Sequence, residues 1–120
     1  MGITVMVKQV DEAELKELIK GGGIVLVDYF TQWCGPCKIQ HQVLEQLDKK
    51  GTGITIVSID IDKNEQVAVD LGIRAIPTLQ FFKNGKVVVF GKDSSESDRF
   101  VGLRPIDKLE EIIVTLKKED

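Results

Sequence analysis

Hydrophobic positions along this chain follow two patterns, short runs of β-branched residues and longer stretches with apolar residues at helical spacing. The first pattern predicts strands and the second predicts helices. The predicted strands span residues 3–7, 24–30, 54–61, 78–82, 86–90 and 100–103. The first predicted helix begins at the Asp11/Glu14 capping box. The other predicted helices span residues 37–50, 64–71 and 105–118. This alternation predicts an α/β fold, and we expect residues 1–120 to form a single domain because no repeat or linker interrupts them.

Two segments add detail to this prediction. Residues 24–30 are apolar throughout except at Asp28, and such continuity is typical of a central strand covered on both faces. Asn84-Gly85 separates two strand-like runs and is a strong signal for a β-hairpin turn. The polar, serine-bearing residues 91–99 then predict an exposed loop before the final helix.

Composition narrows the function classes. The hydrophobic content of 42% and the charged content of 29% are ordinary for a soluble globular protein. A net charge of −3 gives no basic surface for nucleic acid, and no apolar run is long enough to span a membrane. The start of the chain lacks a basic-then-apolar signal pattern, so we expect a cytoplasmic protein. In that compartment a cysteine pair indicates redox or metal chemistry.

The candidate chemistry lies in the stretch Trp33-Cys34-Gly35-Pro36-Cys37, which holds both cysteines of the chain. A spacing of three places both sulfurs on one helical face, close enough for a disulfide. Pro36 suits a first helical turn, so free backbone N–H groups and the positive end of the helix dipole would face Cys34. These favour the thiolate at Cys34, whereas Cys37 should be more covered and react second. Trp33 would form a flat apolar surface beside the sulfur of Cys34, or it would be an ordinary packing residue.

Two other uses of the cysteines compete with redox cycling. A structural zinc site normally takes four protein ligands, and this chain has two cysteines and one histidine, so we expect no metal. A purely structural disulfide would stabilise little, because closing so short a loop removes little chain entropy.

The sequence resembles the thioredoxin family across nearly its whole length. The matching pieces, in the family's order and separation, are Val27-Asp28-Tyr29-Phe30, Trp33-Cys34-Gly35-Pro36-Cys37-Lys38, Gly72-Ile73-Arg74-Ala75-Ile76-Pro77-Thr78 and Phe82-Lys83-Asn84-Gly85. The resemblance implies a thioredoxin fold, with a central mixed β-sheet flanked by helices and a C-terminal β-hairpin and helix. It also implies a protein-disulfide reductase with no bound cofactor. Its partners would be disulfide-containing proteins and thioredoxin reductase, which passes on electrons from NADPH, and we expect a monomer.

The resemblance assigns roles to three residues. Cys34 would attack the target disulfide, and Cys37 would resolve the mixed disulfide. Asp28 would accept the proton of Cys37, directly or through water, because desolvation in an apolar strand should raise its pKa. The competing interpretation of Asp28 is a carboxylate bonded to neighbouring backbone.

The resemblance also predicts a substrate-binding surface. It implies a cis peptide bond before Pro77, which then lies against the disulfide while the backbone at Ile76 pairs with the substrate chain. Gly102 matches the glycine that leaves the groove open, although turn chemistry alone would also explain it. The remaining predicted contacts are Trp33, Gly35 and Pro36.

The chain departs from the family pattern at three places. Ser58 replaces a lysine near the buried aspartate, which should raise the pKa of Asp28 further. Gln42 replaces a helix-kinking proline, so we expect a straighter helix. Residues 91–99 lengthen a connection and would be a surface insertion or an added partner contact.

His41 is a candidate modulator, because it lies four residues after Cys37 on the same side of the helix. One interpretation is a half-buried histidine with a backbone partner. The other is that His41 supplies polarity or a proton near Cys37 in place of the missing lysine.

Two functions compete with the reductase. An isomerase or oxidase domain usually carries histidine rather than proline before the second cysteine, so Gly35-Pro36 favours the reductase. A binding module would use the surface of the fold and would not need Cys34.

Overall fold

The computed structural model describes residues 7–119, which form a six-stranded mixed sheet in the order β1-β3-β2-β4-β5, with β6 also paired to β4. The strands are β1 Lys8–Gln9, β2 Ile24–Phe30, β3 Thr55–Asp60, β4 Thr78–Lys83, β5 Lys86–Val87 and β6 Phe100–Val101. The helices are α1 Glu12–Lys20, α2 Gly35–Lys49, α3 Glu65–Leu71 and α4 Ile106–Lys118. Strands β1, β3 and β2 run parallel, and β4 is antiparallel to β2, β5 and β6.

The central strand β2 is covered on both faces, as predicted. Leu26 packs in one apolar cluster with residues of α2 and α4, such as Leu44 and Leu109. Val27, on the opposite face, packs in a second cluster with residues of α1 and α3, such as Leu15. Successive side chains of a strand point to opposite faces, so Asp28 lies on the face of Leu26, beneath α2.

The first predicted strand is tested only in part. Residues 3–6 lie outside the described residues, and the described strand β1 begins at Lys8. The predicted start of α1 is confirmed, because the Asp11 carboxylate accepts the Glu14 N–H at 2.8 Å. An acceptor at this position satisfies one of the donors that the first helical turn leaves free.

The hairpin turn is confirmed, but the prediction that its second strand extends to residue 90 is wrong. Asn84 and Gly85 have φ angles of 52° and 87°, as a two-residue type I′ hairpin turn requires. Strand β5 ends at Val87, and Leu79, the position on the same edge of β4 that residue 90 would face in this register, pairs with Phe100 of β6. One edge of a strand can pair with only one partner at each position.

The predicted exposed loop at residues 91–99 is confirmed for most of its length but not at its end. It contains one turn of 3-10 helix at Asp93–Ser95. Arg99 is half-buried, and its guanidinium donates to the Leu71 carbonyl at 2.6 Å and to the Asp98 carboxylate at 2.7 Å. These contacts attach the end of the loop to the end of α3.

Strand β6 is also shorter than the predicted residues 100–103. The chain turns away from β4 at Gly102, where φ is +91°, and the Gly102 N–H donates to the Pro77 carbonyl at 2.8 Å. Gly102 thereby lies beside the first residues of β4.

Candidate active site

Cys34 lies at the start of α2, as the sequence predicts. It is the N-cap residue in an extended conformation, and its Sγ accepts the N–H of Cys37 at 3.2 Å. Gly35 and Pro36 are the first two helical residues, and Pro36 has no N–H that would need a partner. The sulfur of Cys34 therefore occupies the place of a capping oxygen at the positive end of the helix dipole.

Cys34 and Cys37 form a disulfide, with their Cα atoms 5.2 Å apart. Cys37 is buried and Cys34 is half-buried, so Cys34 is the sulfur that solvent and partners reach. When the bond is reduced, the Cys37 N–H is in place to donate to an ionised Cys34. This arrangement can perform thiol-disulfide exchange at Cys34.

Asp28 is buried beneath this helix without a full set of partners. Its side chain is 1% exposed, and no residue among 7–119 bonds its Oδ1 atom. Burial raises the pKa of Asp28 from 3.8 to about 7, as predicted. Because Oδ1 accepts no hydrogen bond from residues 7–119, the interpretation of Asp28 as a carboxylate bonded to neighbouring backbone does not hold for this oxygen. Ser58 lies directly across from Asp28 in β3 and is also buried. Its hydroxyl is neutral, so this position supplies no positive charge near Asp28.

A cleft of about 910 Å³ leads from the surface to Asp28. Its walls include Asp28, Cys37, Ser58 and His41. The cleft is large enough for water molecules, and Asp28, Ser58 and His41 on its walls can bind them. Asp28 and Cys37 therefore share one space through which protons can exchange with solvent.

The segment before β4 brings a second wall to the disulfide. The Ile76–Pro77 peptide bond is cis, as the resemblance implied. The Ile76 carbonyl oxygen lies 3.8 Å from the Cys34 sulfur. Gly102 joins the same wall through its hydrogen bond to the Pro77 carbonyl. The structure thus brings Cys34, Ile76, Pro77 and Gly102 together from three separate parts of the chain.

Open surface surrounds the exposed side of Cys34. Trp33 is 87% exposed, so its ring forms a surface shoulder beside Cys34 and is not part of the core. A Cβ atom added at Gly35 would have no neighbour within 4 Å. A Cβ atom added at Gly102 would have its nearest neighbour, an atom of the Arg104 side chain, 3.9 Å away. The positive φ of Gly102, not crowding, is what favours glycine there.

His41 lies on the cleft, but its partner differs from the predicted backbone group. Its Nε2 atom is 3.2 Å from the Glu45 carboxylate one turn along α2, and its side chain is 46% exposed. The same Glu45 oxygen accepts the Val7 N–H at 2.7 Å. Among residues 7–119, the group that faces Nε2 of the imidazole is therefore a carboxylate four residues along the helix and not the predicted backbone group.

Within residues 7–119, no group of three or more His, Cys, Asp or Glu residues could hold a metal ion. Across the same residues, α1–α4 include no helix with the length and apolarity needed to cross a membrane.

One polar contact beside the site was not predicted from the sequence. In the sequence, Gln40 lies at helical spacing with Leu44 and Leu47, a pattern that predicts a buried face but no partner for the amide. In the structure the Gln40 side chain is fully buried, and both of its polar atoms bind the backbone of Arg104. An amide on an otherwise apolar helix face was the available signal, because a buried amide needs partners.

Comparisons with known proteins agree with this geometry. The thioredoxin family model matches residues 6–115. Thioredoxin from Bacillus subtilis is 38% identical, with 90% of this chain and 94% of that protein covered. Thioredoxin from Chlamydia muridarum is 43% identical, with coverage of 76% and 80%. A solved structure of a mutant thioredoxin from Halobacterium salinarum NRC-1 is 29% identical with a TM-score of 0.77, and 96% of this chain and 94% of that chain are covered.

Proposed function

Because this chain belongs to the thioredoxin family of thiol-disulfide oxidoreductases, we propose that it reduces disulfides in partner proteins by cycling Cys34 and Cys37 between dithiol and disulfide. The observation that supports this most directly is the Cys34 sulfur at the N-cap of α2, with the Cys37 N–H at 3.2 Å. That environment favours the ionised sulfur, which is the form that attacks a disulfide.

The reaction has two exchange steps. In the first, the Cys34 thiolate attacks one sulfur of the target disulfide, forms a mixed disulfide and releases the other target sulfur as a thiolate. In the second, Cys37 loses its proton and attacks the Cys34 sulfur. The mixed disulfide breaks, the target leaves fully reduced with the two electrons it has gained, and this protein is left with the Cys34–Cys37 disulfide.

We assign the proton of Cys37 to the Asp28 carboxylate, which takes it directly or through water in the shared cleft. A base works best when its pKa lies near the working pH, and burial raises the pKa of Asp28 to about 7. The absence of a partner at Oδ1 among residues 7–119 leaves that oxygen available to a proton. His41, on the same cleft, is a candidate modulator of this transfer.

The target chain binds across the surface around Cys34. Ile76 would pair with it through its backbone, and Pro77 and Gly102 would form the wall beside the disulfide. Trp33, Gly35 and Pro36 would complete the contact on the helix side. The exposure of Trp33 and the open space at Gly35 support this assignment.

We propose that thioredoxin reductase returns the two electrons, drawing on NADPH, and that this protein binds no cofactor of its own. We also expect a monomer that works in the cytoplasm. The similarity to bacterial thioredoxins supports the pairing with a reductase.

Insulin reduction tests the proposal. Turnover with NADPH and thioredoxin reductase, but not with glutathione and glutaredoxin components, is the expected result. Cys34→Ser should abolish turnover, because Cys37, the only other cysteine of the chain, is buried and cannot start the exchange on a target. If neither electron source supports turnover, a binding function that does not need Cys34 becomes the better account.

A further inference from the structure

Gln40 makes a two-point contact that joins the redox helix to a distant loop. Its Nε2 donates to the Arg104 carbonyl at 3.0 Å, and its Oε1 accepts the Arg104 N–H at 2.7 Å. The side chain is 0% exposed, and the two residues are 64 positions apart in the chain. The backbone N–H and C=O of Arg104 therefore satisfy both polar atoms of the buried Gln40 amide.

The loop that this contact holds is part of the proposed substrate-binding wall. Gly102 bonds the Pro77 carbonyl at one end of the loop, and Arg104 bonds Gln40 at the other. Leu103 lies between these two anchors and is 41% exposed. Without Gln40, the loop would keep its attachment to Pro77 but would lose its attachment to α2.

The side chain of Arg104 adds to the case for a defined loop position. Its guanidinium lies 5.4 Å from the centre of the Phe100 ring and donates to the Leu103 carbonyl at 3.2 Å. It therefore folds back over its own segment, beside Gly102. The backbone of Arg104, in contrast, is directed to α2, so Gln40 sets the distance between the loop and the redox helix.

We propose that Gln40 is a positioning residue that fixes residues 102–104 in the conformation that a protein substrate requires. This inference rests on the proposed function, because it needs a substrate that binds across this wall. Gln40 touches neither sulfur in the hydrogen bonds described, so its effect falls on substrate affinity and not on the reactivity of Cys34.

The population of the binding conformation sets the size of the effect. If the loop holds that conformation only about a tenth of the time without Gln40, the apparent affinity falls about tenfold. A small disulfide that reaches Cys34 without spanning the loop should not sense this change.

The experiment compares Gln40→Leu with wild-type protein and with Gln46→Leu as a matched control. Gln46 is an exposed residue of the same helix, so the same chemical change is made away from the loop. Steady-state insulin reduction gives KM and kcat, and a single-turnover reaction of the reduced protein with a small aromatic disulfide gives the reactivity of Cys34. We expect a KM for insulin raised about tenfold in Gln40→Leu, with kcat and the small-disulfide rate within about twofold of wild type.

A second variant keeps the test independent of folding defects. In Gln40→Glu the carboxylate can still accept the Arg104 N–H, but it donates to the Arg104 carbonyl only when protonated. Burial should raise the pKa of such a glutamate, so the KM of Gln40→Glu relative to wild type should fall as the pH is lowered. A loss of folded protein at high pH would lower kcat and the small-disulfide rate, whereas the positioning role predicts a pH-dependent change in KM.

Three results would overturn the inference. An unchanged KM in Gln40→Leu, equal losses with insulin and the small disulfide, or a KM ratio for Gln40→Glu that is independent of pH would each do so. Inactivity of the wild-type protein toward insulin would instead count against the proposed function.

Discussion

Asp28→Asn isolates the free-energy cost of a carboxylate buried in β2. Asp28 is 1% exposed and has no partner for Oδ1 among residues 7–119, and burial raises its pKa from 3.8 to about 7. Asparagine has nearly the same size but does not ionise. The substitution therefore removes the charge while leaving the packing between β2 and α2 almost unchanged.

The sign of the pH dependence follows from proton linkage. The folded carboxyl keeps its proton up to about pH 7, whereas the unfolded one loses it near its ordinary pKa of 3.8. The folded state thus binds more protons between these values, so wild-type stability falls as the pH rises through this window. Above both values the penalty is constant.

The pKa difference sets the magnitude. At about 1.4 kcal/mol per pKa unit, a rise of roughly three units corresponds to about 4 kcal/mol. Asp28→Asn should therefore gain up to about 4 kcal/mol in free energy of unfolding between about pH 4 and about pH 8.

Urea unfolding of the oxidised proteins over this pH range measures the gain, since the disulfide is then the same in both. Asp60→Asn is the matched control. Asp60 is also buried, in β3, but its carboxylate accepts the Asp62 N–H at 2.9 Å and lies 3.4 Å from the Gln32 amide. We expect no gain in stability from Asp60→Asn, because its carboxylate already has partners.

A stability gain in Asp28→Asn that is equal at both ends of the pH range would refute this prediction. So would a loss of stability that grows with pH, since it would mean that the ionised carboxylate is paired. The same variant should also resolve mixed disulfides more slowly above about pH 7, where the wild-type carboxylate is ionised and can take a proton.

Three further substitutions test the site. Cys37→Ser should accumulate a mixed disulfide between Cys34 and a target protein, visible by mass under non-reducing conditions, and its absence would contradict the resolving role. His41→Ala should change the pH dependence of insulin turnover, and an unchanged profile would remove His41 from the mechanism. Gly102→Ala should lower the free energy of unfolding by about 1 kcal/mol or more, because φ there is +91°, and should raise the KM for insulin. A neutral result in urea unfolding would show that the turn tolerates a side chain.

Much of the fold was predictable from the sequence because the signals are local. The apolar run of β2, the Asp11 cap of α1 and the Asn84-Gly85 turn each depend on residues within a few positions of one another. The placement of Cys34 at a helix start has the same origin, since Pro36 favours a first turn. The raised pKa of Asp28 followed from a charge in an apolar strand.

The cis peptide bond at Pro77 was expected only from the family resemblance. Local sequence favours the trans form, because only about one X–Pro bond in twenty is cis in folded proteins. Residues remote in sequence surround this bond in the fold, including Cys34 and Gly102.

Tertiary structure alone decided the features that depend on which distant residues meet. Phe100 pairs with Leu79 and so takes the place that residue 90 would have in a longer hairpin, because an edge pairs with one strand at a time. Gln40 meets the backbone of Arg104 across 64 residues, and no local pattern specifies that partner. The spacing of apolar residues and the identity of a helix cap depend on residues close together in the sequence. The hydrogen-bond partner of a buried side chain depends instead on how whole helices and strands pack against one another.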